Sequence, residues 1–364
     1  MVTMKIGILT YHRSHNYGAL LQAIALRKML ADMGHEVTFI DYWPDYHWHM
    51  YNFFSWKRLL DGENIKDIIK YIKNVVLFPV SRRERIRNFN AFINEYIVPY
   101  ISSVKDSYDL VIHGSDQIWR KQPEMHTYNP VYFGKHPIKT KRNISYAASM
   151  GILPNNDADK QLLKKLFSHL DEISAREEEL KRLVVELGYE CRQDIDPTLL
   201  LTGKEWCQIL QIAPKIDDRY VLYYKLLPDT FETKKISEFA ANRGLKLKII
   251  HGNASRAKSE RNITTADPRH FMELIYNADF VFTSSFHGLV FSILFHKDFY
   301  ASFSRNAGRA QSLLSAINQL DKLLPPKSDL SEKYNSINYE EVEVLLNNYR
   351  YDSINHLRGL TSKK

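Results

Sequence analysis

The strongest constraint on this chain is a strand, a helix and a second strand placed back to back within its first 42 residues. Residues 5–11 form an apolar run that stops at Arg13-Ser14-His15-Asn16. Ala23, Leu26, Leu30 and Met33 then recur at helical spacing, Gly34 supplies a stop, and residues 36–42 read as a strand again. Two strands separated by a helix pair in parallel through a right-handed crossover. The pattern repeats with strands at 108–113 and 143–147, a strand-like stretch at 172–175, and helices at 160–170 and 176–187. Periodicity lapses over 202–218, which reads as a connection. A second alternating set follows, with strands at 220–224, 246–250, 279–283 and 298–301 and with Phe271, Leu274, Ile275 and Ala278 lining one of its helices. This order predicts an α/β protein of two tandem doubly wound, Rossmann-like domains. The expected division is 1–205 and 206–325, with a helical tail over 326–364 that packs back on the first domain. Ligands of such sheets bind beyond the carboxyl ends of the strands, so the cleft between the domains is where function is expected.

Composition removes several classes. At 364 residues the chain has room for about two domains of roughly 150 residues each. With 44% hydrophobic and 25% charged residues it is neither disordered nor low in complexity. Its two cysteines, Cys191 and Cys207, make neither a disulfide framework nor a four-thiolate zinc site, and the 14 histidines show no metal-ligand spacing. No metal and no cofactor is expected. The apolar run at 6–9 is too short for a secretory signal and no uninterrupted apolar stretch spans a membrane, so a cytoplasmic location is expected. The net charge of +8 is spread along the chain and is no signature of nucleic acid. One dense basic run, Arg82-Arg83-Glu84-Arg85-Ile86-Arg87, reads as a solvated helix face or as a contact for anionic lipid headgroups or an anionic polymer.

Three strand-to-loop junctions carry the polar residues. After the first strand, His12 to Ala19 holds a single glycine, which argues against a dinucleotide fingerprint; Asn16 suits a helix cap. In His113-Gly114-Ser115-Asp116-Gln117-Ile118-Trp119, Gly114 permits a tight exit. Asp116 is either a cap or a carboxylate facing the cleft, Gln117 suits a sugar hydroxyl, and the Trp119 face suits a pyranose. The third junction runs Thr283-Ser284-Ser285-Phe286-His287-Gly288 straight into an apolar helix. Ser284 or Ser285 is the expected cap, the first amides form an anion site, and His287 is placed to touch that anion or move a proton. Arg176 opens another helix and suits a carboxylate or phosphate. Residues 42–56, with Trp43, Trp48 and Trp56 beside Asp45, His47 and His49, read as an aromatic lid. No Walker loop or Gly-x-Ser-x-Gly elbow occurs.

Together these junctions resemble the polysaccharide pyruvyl transferase family. The resemblance rests on Lys5-Ile6-Gly7-Ile8-Leu9-Thr10, His15-Asn16-Tyr17-Gly18-Ala19 and Gly114-Ser115-Asp116-Gln117-Ile118-Trp119. It continues through Ser145-Tyr146-Ala147-Ala148-Ser149, Ser174-Ala175-Arg176-Glu177, Asp196-Pro197-Thr198-Leu199-Leu200 and the 283–288 block. It implies a fold similar to GT-B glycosyltransferases. It also implies transfer of the enolpyruvyl carbons of phosphoenolpyruvate, as donor substrate, to a saccharide or lipid-linked oligosaccharide in surface polysaccharide biosynthesis. By the family pattern Arg176, Ser284, Ser285, His287 and Gly288 contact the donor, while His15, Asn16, Tyr17, Gln117 and Trp119 face the acceptor. His287 is the candidate acid and Asp116 the candidate base. Ser285 stands where some members carry an arginine; Arg305 or Arg309 is expected to supply that charge. A sugar-nucleotide glycosyltransferase or a noncatalytic saccharide-binding relative would share the same fold. Peripheral contact with a membrane surface is compatible with the sequence, which does not set an oligomeric state.

Overall fold

The computed structural model describes residues 3–48, 51–56, 65–215, 218–227, 230–254, 258–305, 307–330 and 335–362. In chain order the described elements of the first part are β1 (Lys5–Leu9), α1 (Tyr17–Asp32), β2 (Glu36–Ile40), α2 (Asp45–Trp48), α3 (Ile65–Leu77), α4 (Pro79–Tyr96), β3 (Ile101–Ser102), β4 (Ser107–His113), β5 (Lys139–Ser145), α5 (Asp157–Phe167), β6 (Ser174–Ala175), α6 (Glu178–Glu186) and β7 (Arg192–Gln193). There follow α7 (Gly203–Leu210), β8 (Tyr220–Lys225), α8 (Thr233–Ala241), β9 (Lys246–His251), β10 (Asn262–Ile263), α9 (Pro268–Tyr276), β11 (Phe280–Thr283), α10 (Phe286–Leu294), β12 (Phe299–Ala301), α11 (Gly308–Ala316) and α12 (Tyr339–Ser362).

The chain forms two compact units. The first gathers residues 1–42, 95–201 and 343–364 around a parallel sheet of order β3-β2-β1-β4-β5. Ile8 pairs with Phe39 on one side and Ile112 on the other, and all three side chains are fully buried. Burial on both faces explains why the β1 residues after Lys5 read as a continuous apolar run rather than an alternating one. Single bridges, Ile144 to Glu172 and Ala148 to Ala175, continue the sheet toward the parallel pair β6–β7. Asn16 caps α1 by accepting the Ala19 amide at 3.2 Å. Trp119, Tyr132, Phe133 and Phe167 are among the aromatic residues of the core.

The second unit, residues 43–94 and 202–342, repeats the plan with the order β10-β9-β8-β11-β12, again all parallel. Its core gathers Tyr223, Phe231, Phe239, Phe280 and Phe282 in edge-on and tilted ring contacts. The α/β class with two doubly wound sheets is therefore observed.

The units do not follow the linear division 1–205, 206–325 and 326–364. Residues 43–94 belong with the second sheet: Arg85 of α4 donates to the carbonyls of Thr264 and Gly252, both at 3.2 Å. The stretch 202–218 is not a bare connection, since Thr202 and Glu205 form a reciprocal capping box that starts α7. From Glu343 onward α12 belongs to the first unit. Ser353 Oγ accepts the Ile195 amide at 3.2 Å, Arg350 Nε donates to Leu199 O at 2.7 Å, and the His356 Nδ1 lies 2.7 Å from Asp194 Oδ2.

Candidate active site

In the first unit the winding reverses between β1 and β4, the place where doubly wound sheets bind ligands. Two loops meet there, residues 10–16 and 114–117. Gln22, fully buried in α1, joins them: its Nε2 donates to Thr10 Oγ1 at 2.9 Å and its Oε1 accepts the Ser115 amide at 2.9 Å. Ser115 Oγ donates to Ala147 O at 2.6 Å, which adds the loop after β5. Gly114 has φ +129°, and a Cβ there would stand 2.4 Å from Tyr146 O, so only glycine fits this exit. Asp116 and Ala147 hold positive φ, 33° and 42°, without being glycine. Such backbone costs about 1–3 kcal/mol per residue and gathers at functional sites.

A buried charge cluster lies along the same crest. Ser149 Oγ donates to Glu177 Oε1, and the Ser149 amide donates to Asp116 O at 3.0 Å. Arg176 Nη1 donates to Asp196 Oδ2, with Glu177 Oε1 at 3.7 Å from Arg176 Nε. Burial alone would push the Arg176 guanidinium down, but Asp196, Glu177 and Asp116 more than offset this and hold it above its ordinary value. Arg176 is therefore not a surface cation. It is a fixed positive charge at the carboxyl end of β6, among three carboxylates.

The residues expected to face an acceptor divide. His15, Asp116 and Gln117 are half-buried on the crest, and Asn16 is exposed while capping α1. Tyr17 and Trp119 are not available as stacking surfaces. Tyr17 is sealed in the core. Trp119 is fully buried, stacks on Phe133 at 5.4 Å, meets Phe167 edge-on at 5.0 Å, and donates its indole N–H to Tyr132 O at 2.8 Å. An indole so enclosed holds the loop rather than a sugar.

In the second unit the reversal lies between β8 and β11. Ser284 Oγ accepts the amides of Leu226 and Leu227 at 2.9 and 3.0 Å, tying the loop after β8 to the turn after β11. It is therefore a brace between loops, not the expected cap. Ser285 occupies the cap position of α10, yet its hydroxyl makes no capping bond. His287 and Gly288 lie buried in the first turn. A Cβ on Gly288 would stand 2.2 Å from Thr283 Oγ1 and 2.9 Å from the Tyr224 ring, so close packing on β11 and β8 accounts for this glycine. Arg309, near the start of α11, holds its guanidinium carbon 5.2 Å from the centre of the Phe286 ring, which brings a cation to this turn where Ser285 supplies none. Arg305 is exposed.

The expected lid is also divided. Tyr42 belongs to the first unit, where its ring meets Tyr132 at 5.6 Å and its hydroxyl accepts from Asn129 Nδ2 at 3.0 Å. Residues 52–55 are tied down in the second unit: Arg82 donates to Phe53 O at 2.7 Å and to Asn52 O at 2.9 Å, and the Ser55 amide donates to Tyr71 Oη at 2.7 Å. His49 lies outside the described residues. Arg82 and Arg85 of the basic run are thus internal ties, while Arg83 and Arg87 are exposed.

Gln22, Ser149, Glu177 and Asp196 were not assigned site roles from sequence. Gln22 did carry a signal, being the one polar residue in the apolar stretch 19–26 directly after a strand junction. An open groove of about 760 Å³ lies at the amino ends of β6 and β7, beside Tyr189, Cys191 and Arg192. The strained, cross-linked crest at the opposite strand ends is the better candidate, because doubly wound sheets bind ligands there. Burial pushes the Cys191 thiol up to about 12, so it is no nucleophile at neutral pH. Among the described residues no group of three His, Cys, Asp or Glu is arranged to hold a metal, and no helix is long and apolar enough to cross a membrane.

Two doubly wound α/β units, each with a polar crest at its winding reversal, define the class. The chain belongs to the polysaccharide pyruvyl transferase family, whose sequence model matches residues 16–304, and it is a transferase on that membership. A search of curated proteins gives no match. Among solved structures, the UDP-GlcNAc 2-epimerase of Methanocaldococcus jannaschii, in complex with UDP-GlcNAc and UDP, is similar at 12% identity and a TM-score of 0.45, over 98% of this chain and 99% of that one. A glycosyltransferase of Rickettsia africae is similar at 10% identity and a TM-score of 0.43, over 98% and 94% of the two chains.

Proposed function

We propose that this protein transfers the enolpyruvyl carbons of phosphoenolpyruvate to two hydroxyls of a saccharide, forming a pyruvate ketal and releasing phosphate. A proton goes to the methylene carbon, and an acceptor hydroxyl bonds to the central carbon. The bond from that carbon to the phosphate oxygen breaks, and a second hydroxyl closes the ketal. Of the two hydroxyl protons, the balance leaves one on the new methyl group and one on phosphate.

The observation that carries this reading, within a chain of this family, is the turn at 284–288. Its helix begins without a side-chain cap, places His287 in the first turn and has Arg309 beside Phe286. A helix start favours an anion by about 0.3–1 kcal/mol, and a guanidinium adds charge-assisted bonds to phosphate or carboxylate. His287 is assigned proton delivery to the donor, and Asp116 the hydroxyl proton.

The test is acceptor-dependent release of inorganic phosphate from phosphoenolpyruvate, with thermal shift as the measure of donor binding. A donor at 100 times its dissociation constant stabilises by about 2.7 kcal/mol. His287→Gln is expected to retain that shift and to lose ~10²-fold or more in turnover. Stabilisation by sugar nucleotides and none by phosphoenolpyruvate would overturn the reading in favour of glycosyl transfer.

A further inference from the structure

Helix α3 buries too little of its apolar surface. Tyr71 faces inward, bonded to the Ser55 amide and near the Phe54 ring, but Ile69, Ile72 and Val76 recur at i, i+3 and i+7 on an adjoining exposed stripe. Val76 is 66% exposed, and the stripe continues through Leu77 to Val80, which is 74% exposed at the start of α4. Trp56 adds an indole that is 72% exposed. Large apolar side chains are ordinary on a surface when scattered, but six on one short helical segment and its flank call for a partner.

Charge decides which partner. Residues 65–94 hold seven Lys and Arg against two Asp and Glu, a net charge of +5. Lys73, Arg83 and Arg87 are exposed, and the two arginines rim a groove of about 490 Å³ beside Ile86. The one acidic side chain described there, Glu84, is engaged by Lys258 at 2.8 Å. A surface of this sign repels a second copy of itself. An apolar helix stripe with basic flanks and an interfacial Trp matches the outer layer of an anionic bilayer, where apolar groups enter the acyl boundary and cations meet headgroup phosphates.

We infer that the α3–α4 segment is a docking surface for anionic lipid membranes, with Ile72, Val76 and Val80 entering the bilayer and Lys73, Arg83 and Arg87 at the headgroups. The surface is independent of the donor reading, since none of these residues belongs to either crest.

The test is co-sedimentation of the full chain with vesicles of phosphatidylcholine alone or with about 30% phosphatidylglycerol, at low and high salt. Binding is expected only to the anionic vesicles and is weakened by salt. Val76→Asp, at an exposed site that leaves the core intact, is expected to abolish it. Lys73→Gln and Arg87→Gln are each expected to cost about fivefold in partitioning. Equal binding to neutral and anionic vesicles, no binding to either, or unchanged binding by Val76→Asp would overturn the inference. So would a wild-type dimer that Val76→Asp dissociates without vesicle binding, which would make a second copy the occupant.

Discussion

Arg176 donates from Nη1 to Asp196 Oδ2, and the two side chains are 2% and 0% exposed. The other carboxylate oxygen accepts the Thr198 amide at 2.9 Å and the Thr198 hydroxyl at 2.6 Å, so Asp196 is bonded on both sides. Removing the carboxylate leaves a guanidinium sealed from water without its main partner. Asp196→Ala is therefore expected to lower stability by about 3–5 kcal/mol in chemical denaturation. Thr198→Val, which leaves the pair whole, should cost about 1 kcal/mol. Wild-type stability in Asp196→Ala would show that Glu177 and Asp116 suffice for the cation.

Gln22 bridges the loops after β1 and β4 with both ends of its amide. Gln22→Leu keeps much of the volume but leaves the Ser115 amide and the Thr10 hydroxyl short of a partner. Each such buried group costs about 1–3 kcal/mol, so a total loss of at least about 2 kcal/mol is expected. Hydrogen exchange at the Ser115 amide should accelerate. Unchanged protection there would mean that the loops do not depend on this bridge.

His113, at the end of β4, is fully buried; burial and then the nearby His136 ring at 5.4 Å lower its pKa to about 3, against the raising effect of its bond to Asn143. The unfolded chain takes up this proton near pH 6.5, whereas the folded protein does so only near pH 3. Stability is therefore expected to fall as pH drops through that window, by about 2 kcal/mol between pH 6.5 and 5 from this residue. Denaturation curves at pH 7 and 5 should show that loss in the wild type and not in His113→Gln. Parallel losses in both proteins would assign the acid sensitivity elsewhere.

Trp119 is a core residue whose indole N–H is already bonded to Tyr132 O. Trp119→Phe should cost about 1 kcal/mol for the lost bond, and Trp119→Ala about 3–5 kcal/mol. The phenylalanine variant is expected to keep the wild-type acceptor KM. A raised KM without loss of stability would return this ring to the acceptor site.

Local signals in the chain carried much of this. Apolar runs placed β1, β4, β8 and β11, because strand segments buried on both faces are apolar, whereas β9 alternates through Lys246 and Lys248. The junctions that follow them were legible as polar loops with glycine or a helix start. Burial within those junctions was not. Trp119 and Gln117 are two positions apart, yet one is enclosed by Phe133 and Phe167 and the other half-buried on the crest. Nor was the grouping of 43–94 with the second unit, which depends on Arg85 finding carbonyls 179 and 167 residues away. Partners that distant leave no periodicity for local reading to detect.

The attachment of α12 to residues 194–199 sets an order of events during synthesis. The first unit is assembled from three separate stretches, residues 1–42, 95–201 and 343–364, with the second unit's residues lying between them in sequence. The segment that presents Asp196 to Arg176 is braced by Arg350, Ser353 and His356, which are synthesised after the residues of the second unit. A nascent chain can close the second unit, whose residues end at 342, while the first still lacks this brace. The brace behind the Arg176–Asp196 pair therefore forms only after every residue of the second unit has been made.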